Sequence, residues 1–248
     1  MELTPDSKLG RIELSADPER RWSMLIPENI AGCGECLMHC HNRPPEWVSI
    51  ERGWSMRQSD DARGFRWKCD VTVVSGGVAE LVFELFNESK APLTDGEADF
   101  CFACAYGAWN TRADAIEKSW TNPPFHGHRK EWNNDWTRRS FVPTQAGLTM
   151  VGDINLHFPV SPHHSVAGQN LADLPIILCQ SEDRQETYAA GWERCNRLYC
   201  AMGSCIHTVV WLGAVGPGKS ARRRGRFYCM RSDPYQVLAR FQRDLSLE

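Results

Sequence analysis

A repeated alternation of apolar and polar residues is the feature that most constrains the fold of this chain. Two such runs, Phe65–Val74 and Val78–Asn87, flank the sequence Ser75-Gly76-Gly77. Alternation with a period of two residues is typical of a β-strand with one buried face. Glycine suits the tight turn of a hairpin because it adopts positive φ at little cost. These residues therefore predict an antiparallel hairpin.

Further segments with this pattern occur along the chain. They combine alternation with β-branched or aromatic residues, which favours strands. The predicted strands are, besides the hairpin, Arg11–Ser15, Trp22–Ile26, Ala98–Tyr106, Arg139–Val142, Leu148–Val151, Ile176–Cys179, Glu186–Trp192, Ile206–Leu212 and Arg222–Met230.

Only the C-terminus has the periodicity of a helix. Asp233 is a suitable N-cap, Pro234 fits the first turn, and Val237 and Phe241 belong to one apolar stripe. Many antiparallel strands closed by one terminal helix predict the all-β class. We therefore expect a single domain, residues 1–248, built as a two-sheet antiparallel β-sandwich of supersandwich or jelly-roll type with a short C-terminal helix.

The composition argues against several classes of protein. The 248 residues carry a formal charge of −3, which is too small to predict binding to nucleic acid or to a membrane surface. No apolar run approaches the roughly 20 residues that a membrane-spanning helix needs, and the N-terminus lacks the apolar stretch of a signal peptide. Together with an odd number of cysteines, 11, this predicts a cytoplasmic protein, with a trimmed secretory signal left open.

One long segment departs from the strand pattern. Residues 107–138 contain four of the ten tryptophans together with two histidines and several charged side chains. Loops longer than about 12–15 residues in compact domains are usually functional or disordered, and disordered segments are poor in aromatic residues. We therefore expect a functional loop that lines a polar, aromatic site.

This segment also contains a candidate metal site. His126 and His128 are two residues apart, so on an extended segment both imidazoles face the same way. With Glu131 as a third ligand they would hold a divalent metal ion, the one cofactor that the sequence suggests. Two alternatives stay open: histidines that are exposed or bound within a turn, and histidines that bind substrate without a metal.

A second group of metal-binding residue types lies near the N-terminus. His39-Cys40-His41 follows Cys33 and Cys36, and tetrahedral zinc accepts mixed thiolate and imidazole ligands. The pair Cys101 and Cys104 cannot complete such a site, because residues three apart on a strand point to opposite faces. A structural zinc site and ordinary loop cysteines both stay open here. Cys101 is expected to be a small buried hydrophobe.

The predicted strand Ile206–Leu212 begins beside a cysteine and carries a histidine. His207 and Cys205 are two residues apart, so they share one face of the strand, opposite Ile206. If this face lines the site, His207 is a candidate general acid or base, since imidazole titrates near neutral pH. Otherwise it is a sheet-face histidine bound by the backbone. No helix N-terminus or nucleophile elbow is evident to activate the Cys205 thiol, which disfavours a cysteine nucleophile.

Two longer stretches resemble a known group of proteins. Val78–Tyr106 has the pattern of a strand, an Asn-containing turn and an apolar strand, and Ser204–Arg243 combines a hairpin around Gly-Pro-Gly with the C-terminal helix. Together they resemble uncharacterised bacterial β-sandwich proteins similar to the galactose-mutarotase-like, or supersandwich, group. The resemblance implies an extended sheet with a carbohydrate site on its concave face, and catalysis by a histidine and a glutamate.

The tryptophans indicate the class of ligand. Sugar rings present flat C–H faces that stack on indole, while their hydroxyls need polar partners. The candidate substrate-binding residues share this aromatic or polar character: Trp120, Trp132, Trp136, Trp192, Asn133, Asp135, Tyr188 and His41. The alternative is that the large aromatic side chains hold a long loop against the sandwich.

These patterns together predict a carbohydrate-active enzyme that transfers a proton at a sugar carbon by lyase or epimerase chemistry, with glycoside hydrolysis left open. His207 or His128 would exchange the proton, and Glu131 or Glu193 would be the paired acid or base. Arg129 would stabilise the developing negative charge.

Two other classes of protein stay open. One is a non-catalytic carbohydrate-binding module, and the other is a structural subunit whose long segment packs against another chain. The expected partners are accordingly a carbohydrate ligand and, for assembly, a second copy in a homodimer. Nucleic acid and membranes are not expected.

Overall fold

The fold consists of two antiparallel sheets and a C-terminal helix. The computed structural model describes residues 2–6, 11–17, 20–39, 45–106, 139–152, 156–160, 171–181, 184–201 and 205–245, and these contain seventeen strands and one helix. The loop predicted at residues 107–138 lies outside the described residues.

Sheet A contains eight strands. They are β1 (Glu2–Asp6), β2 (Arg11–Asp17), β3 (Arg20–Gly32), β4 (Glu35–His39), β9 (Leu93–Tyr106), β12 (Phe158–Pro159), β15 (Cys195–Ala201) and β16 (Cys205–Val215). Their order is β1-β2-β3-β9-β16-β15-β12, and β4 pairs with the end of β3. The centre of this sheet is therefore formed by β9 and β16, which are distant in sequence.

Sheet B contains nine strands. They are β5 (Glu46–Ile50), β6 (Gly53–Asp60), β7 (Phe65–Ser75), β8 (Val78–Asn87), β10 (Ser140–Thr144), β11 (Gly147–Met150), β13 (Ile176–Gln180), β14 (Thr187–Trp192) and β17 (Lys219–Met230). Their order is β11-β10-β13-β14-β17-β8-β7-β6-β5. The hairpin predicted from Ser75-Gly76-Gly77 is confirmed as β7 and β8, and Gly77 at the turn has a positive φ of 78°.

Side chains from the inner faces of the two sheets interlock to form the core. Phe83 on β8 meets Phe100 on β9 edge to face, with ring centroids 5.4 Å apart, and Phe100 contacts Trp192 at 4.3 Å. Phe102 stacks on Phe227 at 5.7 Å. Rings enclosed in this way stabilise the sandwich by removing large apolar areas from water. The predicted all-β, two-sheet antiparallel sandwich is confirmed.

The C-terminal helix packs against the outer face of sheet B. This helix, α1 (Pro234–Asp244), begins after Asp233, whose carboxylate accepts hydrogen bonds from two backbone amides of the first turn. Val237 and Phe241 are fully buried against residues of sheet B such as Ile176. The predicted helix and its cap are confirmed. No helix in the described part of the chain is long and apolar enough to cross a membrane.

Several strands escaped prediction because their local sequences are polar. The hairpin of β5 and β6 ends one edge of sheet B, and β15 lies near one edge of sheet A. The β6 sequence GWSMRQSD has no β-branched residue, and β15 contains Asn196, Arg197 and Tyr199 on a strand of seven residues. Pairing with a neighbouring strand decides the conformation of such segments more than their own propensity does.

The contact between Gly225 on β17 and Trp192 on β14 gives a test of the packing. A Cβ atom at Gly225 would lie 2.5 Å from Trp192 Cδ2. Gly225→Ala should therefore lower the free energy of unfolding by about 1–3 kcal/mol, as overpacking of a core does, in urea denaturation. Gly76→Ala is the matched control: no atom lies within 4 Å of its added Cβ, so a change below about 0.5 kcal/mol is expected. Equal losses for the two variants would contradict this packing.

Candidate functional site

The candidate site lies on the outer face of sheet A, which is directed away from the core. Successive residues of a strand point to opposite faces. On β9, Phe100 points into the core, so its neighbours Asp99 and Cys101 face outwards. The same alternation on β16 turns Cys205 and His207 outwards. The sequence predicted that these two residues share one face opposite Ile206, and this is confirmed.

The strand register brings these side chains together. His207 lies directly opposite Cys101 on β9 and opposite Tyr199 on β15. Asp99 precedes Cys101 by two residues, and Glu28 comes from β3 on the other side of β9, where the pairing is irregular between residues 25 and 29. Four neighbouring strands thus contribute to one group of side chains. We call this group the His207 cluster: Glu28, Asp99, Cys101, Tyr199, Cys205 and His207.

Two carboxylates face one nitrogen of the histidine. His207 Nδ1 lies 3.0 Å from Asp99 Oδ1 and 3.7 Å from Glu28 Oε2. The other oxygen of Asp99 accepts a hydrogen bond of 2.5 Å from the Tyr199 hydroxyl. Both oxygens of Asp99 are therefore engaged, and this carboxylate fixes the orientation of the imidazole ring.

Two thiols lie on the other side of the histidine. Cys205 Sγ is 3.3 Å from His207 Nε2, and the Cys101 thiol hydrogen-bonds to Cys205 and to the Glu28 carboxyl. The potential ligand atoms of Cys101, Cys205 and His207 all lie within 4.8 Å of one another. This triad could hold a metal ion. It is a different set of residues from the one that the sequence suggested.

Burial and opposed charges determine the ionisation of the cluster. Burial would lower the pKa of the His207 imidazole, but the negative charges of Cys205 and Asp99 outweigh it and raise this pKa. At Asp99, burial is likewise outweighed by the charge and hydrogen bond of His207, which lower the pKa of the carboxyl. At Glu28, burial dominates and raises the pKa. The hydrogen bond from Cys101 is the largest influence that lowers the pKa of the Cys205 thiol. These shifts favour an imidazolium ion at His207, with a thiolate at Cys205 on one side and a carboxylate at Asp99 on the other.

Stacked rings hold the tyrosine and histidine in place. The ring of Tyr199 stacks on His207, with centroids 4.5 Å apart and an angle of 18° between the planes. His157, an exposed residue just before β12, stacks on the other face of Tyr199 at 4.6 Å and 6°. Because the stack fixes both rings, the hydrogen bonds of Asp99 have little freedom to rearrange.

A second polar group borders the cluster on the same face. Glu97 accepts hydrogen bonds of 2.9 and 3.3 Å from the Arg197 guanidinium and one of 2.8 Å from the Asn196 amide. Trp211 on β16 lies opposite Glu97, is partly buried and follows the outward alternation of His207. An aromatic ring beside a fixed set of hydrogen-bonding groups is a common composition of ligand sites.

Three residues predicted for the site lie elsewhere. Trp192 and Tyr188 are fully buried between the sheets, and Trp192 Nε1 donates a 3.0 Å hydrogen bond to Thr208 Oγ1. Rings enclosed in the core cannot stack on a sugar, which corrects that prediction. Glu193 accepts a 3.1 Å hydrogen bond from the backbone amide of Arg224 and lies 3.7 Å from its guanidinium. This carboxylate is held against sheet B and does not join His207.

The other predicted site residues lie outside the described residues. They are His41, Trp120, His126, His128, Arg129, Glu131, Trp132, Asn133, Asp135 and Trp136. The metal site suggested at residues 126–131 therefore stays a prediction. Of the N-terminal group, Cys33 and Cys36 are exposed, and Cys33 Sγ accepts a hydrogen bond from the Thr94 amide at 3.4 Å.

Three members of the cluster, Glu28, Asp99 and Tyr199, were not predicted from the sequence, and neither was the polar role of Cys101. Cys101 is buried as expected, but its thiol belongs to a hydrogen-bonded group. One signal was available, because Glu97, Asp99 and Cys101 alternate with the apolar residues of β9. Two acidic residues on one face of an otherwise apolar strand indicate that this face is polar.

Comparison with known proteins shows a likeness in fold. No family model matches the chain, and no curated protein matches it. An α-N-acetylgalactosaminidase from Bifidobacterium bifidum, solved as a quadruple mutant, matches 98% of this chain with a TM-score of 0.54 and 12% identity. A polysaccharide lyase matches 98% of the chain at a TM-score of 0.45 and 8% identity. A putative aldose 1-epimerase from Klebsiella pneumoniae matches 89% at a TM-score of 0.37 and 12% identity.

The matched proteins are longer than this chain. The chain spans 37% of the glycosidase, 33% of the lyase and 64% of the epimerase. The likeness to the glycosidase shows that the two share a β-sandwich fold.

The hydrogen bond from Tyr199 to Asp99 gives a test of the cluster. Tyr199→Phe keeps the ring stack but leaves one oxygen of a buried carboxylate without its donor. Since hydrogen bonds to charged groups contribute about 1.5–3 kcal/mol, the variant should lose a similar free energy of unfolding, measured by urea denaturation. Tyr235→Phe is the control: Tyr235 is 63% exposed, and a change below about 0.5 kcal/mol is expected. No loss in Tyr199→Phe would show that the bond does not hold Asp99.

Proposed function

We propose that this protein is a carbohydrate-active enzyme that exchanges a proton with a sugar at the outer face of sheet A. The observation that supports it best is the convergence of His207 with the carboxylates of Asp99 and Glu28, at 3.0 and 3.7 Å from Nδ1. The sequence led us to expect a histidine and a carboxylate as partners. The shared fold with a solved glycosidase is consistent with a carbohydrate as the ligand.

Glu28 is the group that we assign to proton exchange with the ligand. Its side chain is 21% exposed, whereas those of His207 and Asp99 are 4% and 9% exposed. Its Oε2 atom is buried and lies 3.7 Å from His207 Nδ1. A general acid or base must come within hydrogen-bond distance of the reacting group, and Glu28 has the largest exposed fraction of these three side chains.

The Glu28 carboxylate is supported by three other residues of the cluster: His207, Asp99 and Tyr199. The cationic imidazole lies next to Glu28 and stabilises the negative charge that forms when Glu28 gives up a proton. Asp99 compensates the buried imidazolium, and the stacked Tyr199 fixes Asp99. These three residues are positioning and charge-stabilising groups, because a ligand on this face meets Glu28 first.

The neighbouring residues supply the contacts that a sugar needs. The Glu97–Arg197 pair and Asn196 offer hydrogen-bond donors and acceptors in fixed positions. Trp211, partly buried beside Glu97, offers a flat apolar ring for a sugar face. Recognition and proton exchange would therefore use adjacent parts of four strands of one sheet.

The alternative, a non-catalytic carbohydrate-binding module, has less support from the geometry. Such a module needs the aromatic and polar surface around Trp211. Binding alone does not require an imidazole and two carboxylates clustered in a largely buried position, where each charged group loses solvation. The cluster therefore favours an enzyme.

A glycan panel with matched variants tests this function. The panel contains 4-nitrophenyl glycosides, uronate-containing polysaccharides and free aldoses, followed by nitrophenol release, by the ultraviolet absorbance of unsaturated products and by polarimetry. We expect turnover in one of these classes. For that substrate Glu28→Gln should lower kcat by about 10²–10⁴-fold, the usual contribution of a general acid or base.

Glu84→Gln is the matched control for charge and residue type. Glu84 lies on β8 of sheet B, 3.5 Å from Lys68 Nζ, and its replacement should leave kcat unchanged. Binding of a glycan without turnover would support the binding module instead. Equal losses in Glu28→Gln and Glu84→Gln would overturn the role of Glu28.

A further inference from the structure

Three side chains that bind transition metals meet within the His207 cluster. Their ligand atoms all lie within 4.8 Å of one another, and Cys205 Sγ lies 3.3 Å from His207 Nε2. A tetrahedral ion with Zn–S bonds of about 2.3 Å and Zn–N bonds of about 2.0–2.1 Å holds its ligand atoms roughly 3.5 Å apart. The observed spacing fits one common ion after small side-chain adjustments.

The strands hold these ligands rigidly. Cys101 and His207 are directly opposite each other on β9 and β16, and Cys205 precedes His207 by two residues on the same face. Cys101, Cys205 and His207 are 5%, 7% and 3% exposed, and the two cysteines form a small buried apolar cluster with Leu25. Ligands on hydrogen-bonded neighbouring strands lose little freedom on binding an ion. The dry surroundings strengthen the attraction between thiolate and cation.

His207 is oriented in the way that metal-binding histidines are. Its Nδ1 atom is hydrogen-bonded to Asp99 at 3.0 Å, so Nε2 faces the thiols. A carboxylate behind the imidazole fixes the ring and makes the free nitrogen a better ligand, and such partners usually accompany a metal-bound histidine. The Tyr199 hydroxyl donates a 2.5 Å hydrogen bond to Asp99 and so holds this carboxylate in position.

The ligand types select the metal. Mg²⁺ and Ca²⁺ prefer oxygen ligands, whereas two thiols and one imidazole are soft or intermediate donors that suit zinc. Three protein ligands also leave one coordination position open for water or a ligand oxygen, which is the arrangement of catalytic rather than structural zinc sites.

We propose that Cys101, Cys205 and His207 form a zinc site, with Asp99 holding His207 in position and Glu28 at its border. The site stands independently of the proposed activity. Where both hold, the positive charge beside Glu28 comes from the zinc ion, and His207 is a neutral ligand. Binding releases the protons of the thiol and imidazole groups that become ligands.

Titration of the purified protein with zinc sulfate alone tests the proposal. The full chain is reduced, freed of metal with a chelator and titrated by calorimetry. We expect one zinc ion per chain that depends on this triad. Cys101→Ser and Cys205→Ser should each weaken its binding by at least about 100-fold, because each removes a direct ligand, and Asp99→Asn should weaken it by about 10–100-fold, as loss of a supporting carboxylate does.

Two control variants test whether cysteines outside the triad contribute to zinc binding. Cys200→Ser removes a buried cysteine of β15 that belongs to the core cluster, and the double variant Cys33→Ser/Cys36→Ser removes two exposed cysteines. Both should retain the zinc affinity of the triad.

Cobalt substitution of the unaltered protein reports whether thiolates are among the ligands, and an unchanged spectrum in Cys33→Ser/Cys36→Ser excludes those two cysteines as the source. Co²⁺ bound to the unaltered protein should show thiolate-to-cobalt charge-transfer absorption together with the visible bands of a tetrahedral ion. This measurement remains valid even if a cysteine variant fails to fold. Cobalt bound without thiolate absorption, zinc affinity unchanged in Cys101→Ser and Cys205→Ser, or no zinc binding would each overturn the proposal. None of these readouts uses a sugar, so a negative glycan panel and a negative zinc titration are separate results.

Discussion

The hydrogen bond between His207 Nδ1 and Asp99 Oδ1, 3.0 Å long, is the interaction on which the rest of the site depends. A buried imidazolium and a buried carboxylate each lose solvation, and they are stable there because each compensates the other. Removing Asp99 would leave Glu28, 3.7 Å away, as the carboxylate facing His207 Nδ1. The Tyr199 hydrogen bond and the ring stack then fix Asp99, so the orientation of Nε2 towards the thiols follows from this one contact.

The sandwich explains why such a group can exist on one face of a sheet. In β9 and β16, the inward residues build the apolar core with sheet B, as Phe100 and Ile206 do. The outward residues of the same strands carry Asp99, Cys101 and His207. The stability of the fold and the chemistry of the site therefore use alternate residues of the same segments. Changes on the outer face can alter the site while the core keeps its packing.

The sequence allowed some of these features to be predicted and not others. The β7–β8 hairpin and the helix cap at Asp233 follow from local rules, and so does the shared face of Cys205 and His207. The partnership of His207 with Asp99 spans 108 residues and depends on the register between β9 and β16, which no local pattern specifies. The burial of Trp192 could not be predicted either. Alternation places its ring on one face of β14, but whether that face belongs to the core depends on how the two sheets pack.

The orientation of the His207 ring is the most direct test of this account. Long-range ¹H–¹⁵N correlation spectra of the labelled, metal-free protein report both ring nitrogens, and a His207→Asn sample assigns the signals. We expect a slowly exchanging Nδ1 proton whose resonance shifts strongly in Asp99→Asn and weakly in Glu84→Asn. Rapid exchange of the Nδ1 proton with water, together with His207 signals that do not change in Asp99→Asn, would contradict the His207–Asp99 hydrogen bond.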